Sequence, residues 1–115
     1  MTTLEQFFAI MLGVQFLHSI EELSHNFHAR FPLFKMTFRF FLSFEILFFT
    51  TFLLVYLLPD LAYRSALMSF FIVLMFANGI WHITWLGIAK KYVPGIVTAP
   101  IFVIVFLDYF FNLSL

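Results

Sequence analysis

The chain has no cysteine, which excludes disulfides and thiolate metal ligands and leaves the redox compartment undetermined. Charge is scarce as well. Asp, Glu, Lys and Arg make up 10% of the 115 residues, whereas a soluble domain carries roughly 25%. Six basic and six acidic residues cancel, so there is no electrostatic case for nucleic acid. No linker, internal repeat or low-complexity tract divides the chain. The opening residues Met1-Thr2-Thr3-Leu4-Glu5-Gln6 lack the basic segment of a signal peptide. The first hydrophobic segment is therefore expected to stay in the mature protein.

What fills the chain instead is apolar. Hydrophobic residues make up 63% of it and 20 residues are Phe, and the mean hydropathy is +1.04. No water-soluble fold of this length hides so much apolar surface. The expectation is an integral membrane protein with one domain over residues 1–115.

Four apolar stretches can be read, over about 4–27, 36–58, 61–89 and 94–113. Thr3 is a plausible N-cap for the first. Pro59-Asp60 stops the second and Lys90-Lys91 ends the third. Pro94 suits the start of the fourth. Each stretch has about the 20 residues needed to cross a hydrocarbon core. Short connections make consecutive helices antiparallel neighbours. The predicted fold class is all-α, a membrane four-helix bundle of antiparallel up-down topology. Arg30, Lys35 and Arg39 surround the first connection, Lys90 and Lys91 mark the third, and the second holds only Arg64 beside Asp60. The positive-inside rule then makes the first and third connections cytoplasmic and puts both termini outside.

Against this background, ionisable residues inside the spans stand out. His18-Ser19-Ile20-Glu21-Glu22 follows an uncharged run. Each charge at a helix centre costs roughly 2.5–3.5 kcal/mol on insertion scales, so such a cluster is a functional-site hypothesis by default. His18, Glu21 or Glu22, and His25 follow i, i+3/i+4, i+7 spacing and share a face. Gln15 extends that stripe outward and His28 extends it toward the cytoplasm. Glu21 and Glu22 lie about 100° apart on a helix, so both can border one cavity but cannot point the same way. Glu22–His25 has the Glu-x-x-His spacing of di-metal bundles, and His18–Glu21 has it reversed.

On the second span Glu45 stands alone, with Arg39 as a snorkelling partner on an awkward face. On the third span Asn78 and His82 lie one turn apart. At 1.5 Å rise per residue, His18, Glu21, Glu22, Glu45, Asn78 and His82 converge on one layer about 10–15 Å from the cytoplasmic rim. Plainer roles compete. His25 and His28 suit a solvated interface, the first-span cluster suits a buried ion pair, and Asn78 and His82 suit interhelical hydrogen bonding. Tyr92-Val93-Pro94-Gly95 reads as a tight turn whose Tyr92 can reach the polar layer.

His18-x-x-Glu21-Glu22, Asn78-x-x-x-His82 and Tyr92-x-Pro94-Gly95, in this order, resemble the HXXEE-motif family of small integral membrane proteins. The resemblance covers essentially the whole chain. That family has no assigned reaction, so the resemblance implies a grouping of these residues and no chemistry. Glu45 lies outside the signature and enters on the depth argument alone.

Three functions compete. The first is a membrane metalloenzyme, an oxidoreductase or hydrolase acting on a lipid-like or other apolar substrate. Its metal ligands would come from His18, Glu21, Glu22, His25, Glu45 and His82, with Glu21, Glu22, Asn78 and His82 in catalytic roles. Imidazole and carboxylate without thiolate suit a divalent ion, iron or zinc, and there are enough ligands for two ions. The second is a metal-free Glu/His acid–base membrane enzyme, a hydrolase or an isomerase/cyclase. The third is a small proton-coupled transporter, which ranks lower because a single carboxylate would serve it. The partners expected are membrane lipid and an apolar small molecule, with no nucleic acid. A homo-oligomer is left open.

Overall fold

The computed structural model describes residues 1–114. Among these residues there are five helices and no strand: α1 (Thr3–Ser24), α2 (Phe27–Arg30), α3 (Phe38–Leu57), α4 (Arg64–Ala89) and α5 (Ala99–Ser114). The all-helical expectation holds. The boundaries differ from it wherever a side chain or loop claims the backbone.

The N-cap of α1 is Thr2, one residue before the expected Thr3. The Thr2 hydroxyl accepts from the Glu5 N–H and the Glu5 carboxylate accepts from the Thr2 N–H, each at 3.1 Å. This reciprocal capping box satisfies two amides that the first turn would leave unpaired. The chain leaves α1 through Asn26 in the left-handed region (φ 61°), a conformation that Asn tolerates. The single-turn α2 follows. Thr37 caps α3 by accepting from the Phe40 N–H at 3.1 Å.

The α3–α4 connection is organised by Arg64. Its guanidinium donates to the Val55 and Tyr56 carbonyls at 2.8 and 2.7 Å and to the Glu5 carboxylate at 3.1 Å. The last turn of α3 leaves carbonyls unpaired. The Arg64 fork satisfies two of them and ties the start of α1 to the start of α4. The helix of the fourth apolar stretch, α5, starts at Ala99 rather than Pro94, because residues 94–98 form a turn. Pro100 occupies its first turn, where a missing N–H costs nothing.

The helices pack through two apolar clusters. One gathers Phe8, Met11, Met68, Phe71, Ile72 and Phe102, all fully buried or nearly so, and the other gathers Phe27, Phe41, Trp85 and Val93. Phe8 meets Tyr56 while Ser19 meets Glu45, so contacts fall along α3 as they rise along α1. Glu5 meets Arg64 and His18 meets His82, so contacts rise together along α1 and α4. Gly79 permits the close approach of α4 and α5, since a Cβ there would lie 2.8 Å from the Ala99 carbonyl oxygen. Among the described residues two helices, α3 and α4, are long and apolar enough to cross a membrane, with mean hydropathies of 2.1 and 1.8.

Candidate functional site

Three of the expected residues meet at one point. His18 and Glu22 are one turn apart on α1, and His82 comes from α4. The two imidazole Nε2 atoms lie 3.2 Å apart. One carboxylate oxygen of Glu22, Oε2, is 3.5 Å from His18 Nε2 and 3.3 Å from His82 Nε2. Both histidines have 0% exposure and Glu22 has 5%. The spacing used on α1 is therefore i, i+4, not the Glu-x-x-His spacing of Glu22 and His25. Asn78, one turn before His82, brings its amide nitrogen to 3.3 Å from His18 Nε2.

Glu21 does something else. Its carboxylate faces the α4–α5 connection and accepts five hydrogen bonds. They come from the Tyr92 hydroxyl at 2.6 Å, the Gly95, Val97 and Thr98 N–H groups at 3.0 Å each, and the Thr98 hydroxyl at 2.7 Å. An acceptor so surrounded has little left for a metal. These bonds give the turn at 94–98 its purpose, since the amides that would otherwise start a longer α5 converge on one carboxylate. Tyr92 lies outside the helices, and burial, followed by its hydrogen bond to Glu21, pushes its phenol up to about 12. Arg30 donates to the Tyr92 carbonyl at 2.6 Å and pins the outer edge of the turn.

The same connection orients the first histidine. His18 Nδ1 is 2.7 Å from the Thr98 hydroxyl oxygen. That hydroxyl donates to Glu21, and a carboxylate has no proton to return, so the hydroxyl accepts from His18 Nδ1–H. The proton of His18 is thereby held on Nδ1, and its unprotonated Nε2 accepts from the Asn78 amide while facing Glu22 and His82. Carboxylate–hydroxyl–imidazole chains of this kind fix ligand tautomers in metal sites.

Gly95 closes the site from the loop side. Its φ is +98°, and a Cβ there would lie 2.5 Å from His82 Cε1 and 2.7 Å from His18 Cε1. Only glycine supplies both the left-handed backbone and the missing volume.

Besides Glu21, two expected ligands, His25 and Glu45, lie outside the three-residue group. His25 is exposed at the end of α1, where its Nδ1–H donates to the Glu21 carbonyl at 2.9 Å. Glu45 is buried, yet its partner is the Ser19 hydroxyl rather than Arg39. Ser19 in turn accepts from the Gln15 amide at 3.1 Å. Glu45 does share a cavity of about 590 Å³ with Glu22, Asn78 and Gln15, walled largely by Phe side chains and Trp81. Ser19 and Thr98 were not singled out from the sequence as site residues. Adjacency to His18 and to the Tyr92-x-Pro94-Gly95 turn was the only available signal.

Among the described residues, His18, Glu22 and His82 form the group able to hold a metal ion, with ligand atoms all within 4.8 Å of one another. The family model described as a protein of unknown function with HXXEE motif matches residues 9–110, and the chain belongs to that family. No curated protein and no solved structure matches it.

Gly95→Ala tests the closure of the site. Strain at positive φ and overpacking against two imidazoles should together lower unfolding stability by about 2–4 kcal/mol. Gly87→Ala, where nothing lies within 4 Å of the added methyl, should change it by less than about 1 kcal/mol. Denaturant unfolding of both variants in detergent is the measurement, and equal effects would contradict the packing described.

Proposed function

We propose that this member of the HXXEE family is an integral membrane enzyme in which His18, Glu22 and His82 hold one divalent metal ion, zinc or iron. The ion would lie beside an aromatic cavity that takes a lipid-like substrate. The observation that carries the reading is the triangle of ligand atoms. Its sides are 3.2, 3.3 and 3.5 Å. Tetrahedral coordination with bonds of roughly 2.0–2.1 Å has ligand–ligand edges of about 3.3 Å. Two imidazoles and one carboxylate, without thiolate, suit zinc or iron. Three protein ligands leave a position for water or substrate, as catalytic sites do.

A bound divalent ion supplies Lewis acidity and a nucleophilic water near neutral pH. The protein's own groups would do the rest. Thr98 and Glu21 hold His18 in the ligating tautomer. Asn78 presents an amide at the edge of the site, placed to orient a polar substrate atom. The cavity borders Glu22 and Asn78 and is otherwise mostly apolar. That combination favours an apolar molecule with one polar end over a soluble metabolite.

The membrane part of the proposal is a four-helix bundle of α1, α3, α4 and α5, running up-down-up-down. Both termini would be outside, and the basic connections near α2 and at Lys90-Lys91 cytoplasmic. It is supported by the low charge of the whole chain and by its apolar exterior, where Leu47 is 67% and Ile104 66% exposed. Monomeric soluble proteins seldom show such continuous apolar surface. Reporter fusions at the C-terminus should read as non-cytoplasmic, and a cytoplasmic readout would overturn the orientation.

A metal-free Glu/His acid–base enzyme is the second reading, favoured by one observation. His82 Nδ1 is buried with no hydrogen-bond partner. The ligating tautomer would put an unsatisfied N–H there, whereas a proton on Nε2 would bond to Glu22. Element analysis of the purified protein separates the two readings. We expect about one zinc or iron per chain, lost in His18→Ala and in His82→Ala and retained in His25→Ala. A metal-free protein whose activity survives chelator would favour the acid–base reading.

A further inference from the structure

The cavity beside the metal residues has a polar wall of unusual composition. Four polar side chains line it: Gln15, Glu22, Glu45 and Asn78. No Lys, Arg or His is among the lining residues. Gln15 is only 3% exposed, and its amide nitrogen is already given to Ser19. Its carbonyl oxygen Oε1 has no partner. Glu45 receives a hydrogen bond from Ser19, and among the described residues no Lys, Arg or His pairs with it. A side chain with an unpaired buried acceptor and a buried carboxyl group without a cationic partner therefore line one space.

We propose that this space binds an amphiphile with a primary amine head, the ammonium seated between Glu45 and Gln15 Oε1 and the chain lying along the Phe wall. This rests on the reading of the cavity as the substrate space of the His18–Glu22–His82 site. Three arguments select the head group. Among the lining side chains an anionic head finds no cation, so phosphate and carboxylate lipids have no partner at Glu45 and Gln15 and could be held only by the metal ion proposed at Glu22. A hydroxyl head brings one donor for at least two waiting acceptors, whereas an ammonium brings three and the compensating charge. Aromatic rings such as Phe41, Phe44 and Trp81 attract a desolvated cation through their faces. The volume of about 590 Å³ lies within the range of roughly 300–1,000 Å³ usual for small-molecule sites.

Trp81 lines the cavity and serves as the reporter in a Trp85→Phe background. The full-length protein in nanodiscs is titrated with octylamine, octanol and octanoate at neutral pH, following Trp81 fluorescence. Octylamine should bind at least tenfold more tightly than octanol, and octanoate least of all. Glu45→Gln keeps the shape and a partner for Ser19, and should weaken octylamine roughly ten- to hundredfold while leaving octanol nearly unchanged. Gln15→Met should weaken octylamine by a smaller factor, and it keeps the test open if Glu45→Gln does not fold.

Equal binding of amine and alcohol, preference for octanoate, or an unchanged amine affinity in folded Glu45→Gln overturns the proposal. Metal content is measured on the same samples. Amine preference in metal-free protein would leave this inference standing and remove the metal reading. Bound metal without amine preference would do the reverse.

Discussion

Glu22 is the group on which the arrangement turns. It is a buried carboxylate on an apolar helix, and no Lys or Arg pairs with it among the described residues. An isolated buried charge is tolerated only when it is neutralised, paired or bound to a metal. The two imidazoles beside it are equally buried and bring nitrogen lone pairs to the same point. One of them, His18, has its proton committed to Thr98. Its Nε2 and the Glu22 oxygen are thus two acceptors facing each other across 3.5 Å. Like-facing acceptors repel unless something electropositive sits between them. The Asn78 amide reaches His18 Nε2 but does not bond Glu22; a proton from His82 or a shared metal ion can fill that role, and the near-equilateral spacing of the three atoms suits the ion better than a single linear hydrogen bond.

The neighbouring glutamate explains the loop. Glu21 and Glu22 diverge by about 100° around the helix, and the fold uses that angle to separate two tasks. Glu22 enters the three-residue group. Glu21 gathers the donors of the α4–α5 connection, which sets the position of Thr98 and through it the tautomer of His18. Gly95 then lies flat against both imidazoles. The three sequence motifs are in this sense one structure: the first supplies His18 and both carboxylates, the second supplies His82 and Asn78, and the third supplies the turn that Glu21 holds. Disturbing Tyr92 or Thr98 would act on the three-residue group by way of Glu21 and His18, without either residue belonging to it.

Much of this could be read from the chain before any coordinates. Composition and the four apolar stretches pointed to helices throughout, and the isolated polar residues in them included His18, Glu22, Asn78 and His82. Which glutamate faces the other helix was not legible, because i+3 and i+4 spacing from His18 are both one turn and the loop makes the choice. Ser19 and Thr98 escaped notice for a different reason. Hydroxyls in apolar helices usually bond their own backbone, as Thr51 does to the Leu47 carbonyl and Thr84 to the Ile80 carbonyl. Only adjacency to His18 and to the Tyr92-x-Pro94-Gly95 turn sets apart the two that bond elsewhere. α2 is a single turn, too short for a periodic signal. The start of α5 slipped from 94 to 99 because a distant carboxylate uses the intervening amides.

The central claim is that His18 Nε2, His82 Nε2 and a Glu22 oxygen converge on a single divalent ion. X-ray absorption at the zinc and iron edges of the purified protein tests it most directly. The account predicts nitrogen and oxygen ligands at roughly 2.0–2.2 Å and outer-shell scattering from two imidazole rings, with one ring lost in either histidine-to-alanine variant that retains any metal. A spectrum without imidazole scattering, or one unchanged when His18 and His82 are both replaced, would contradict it.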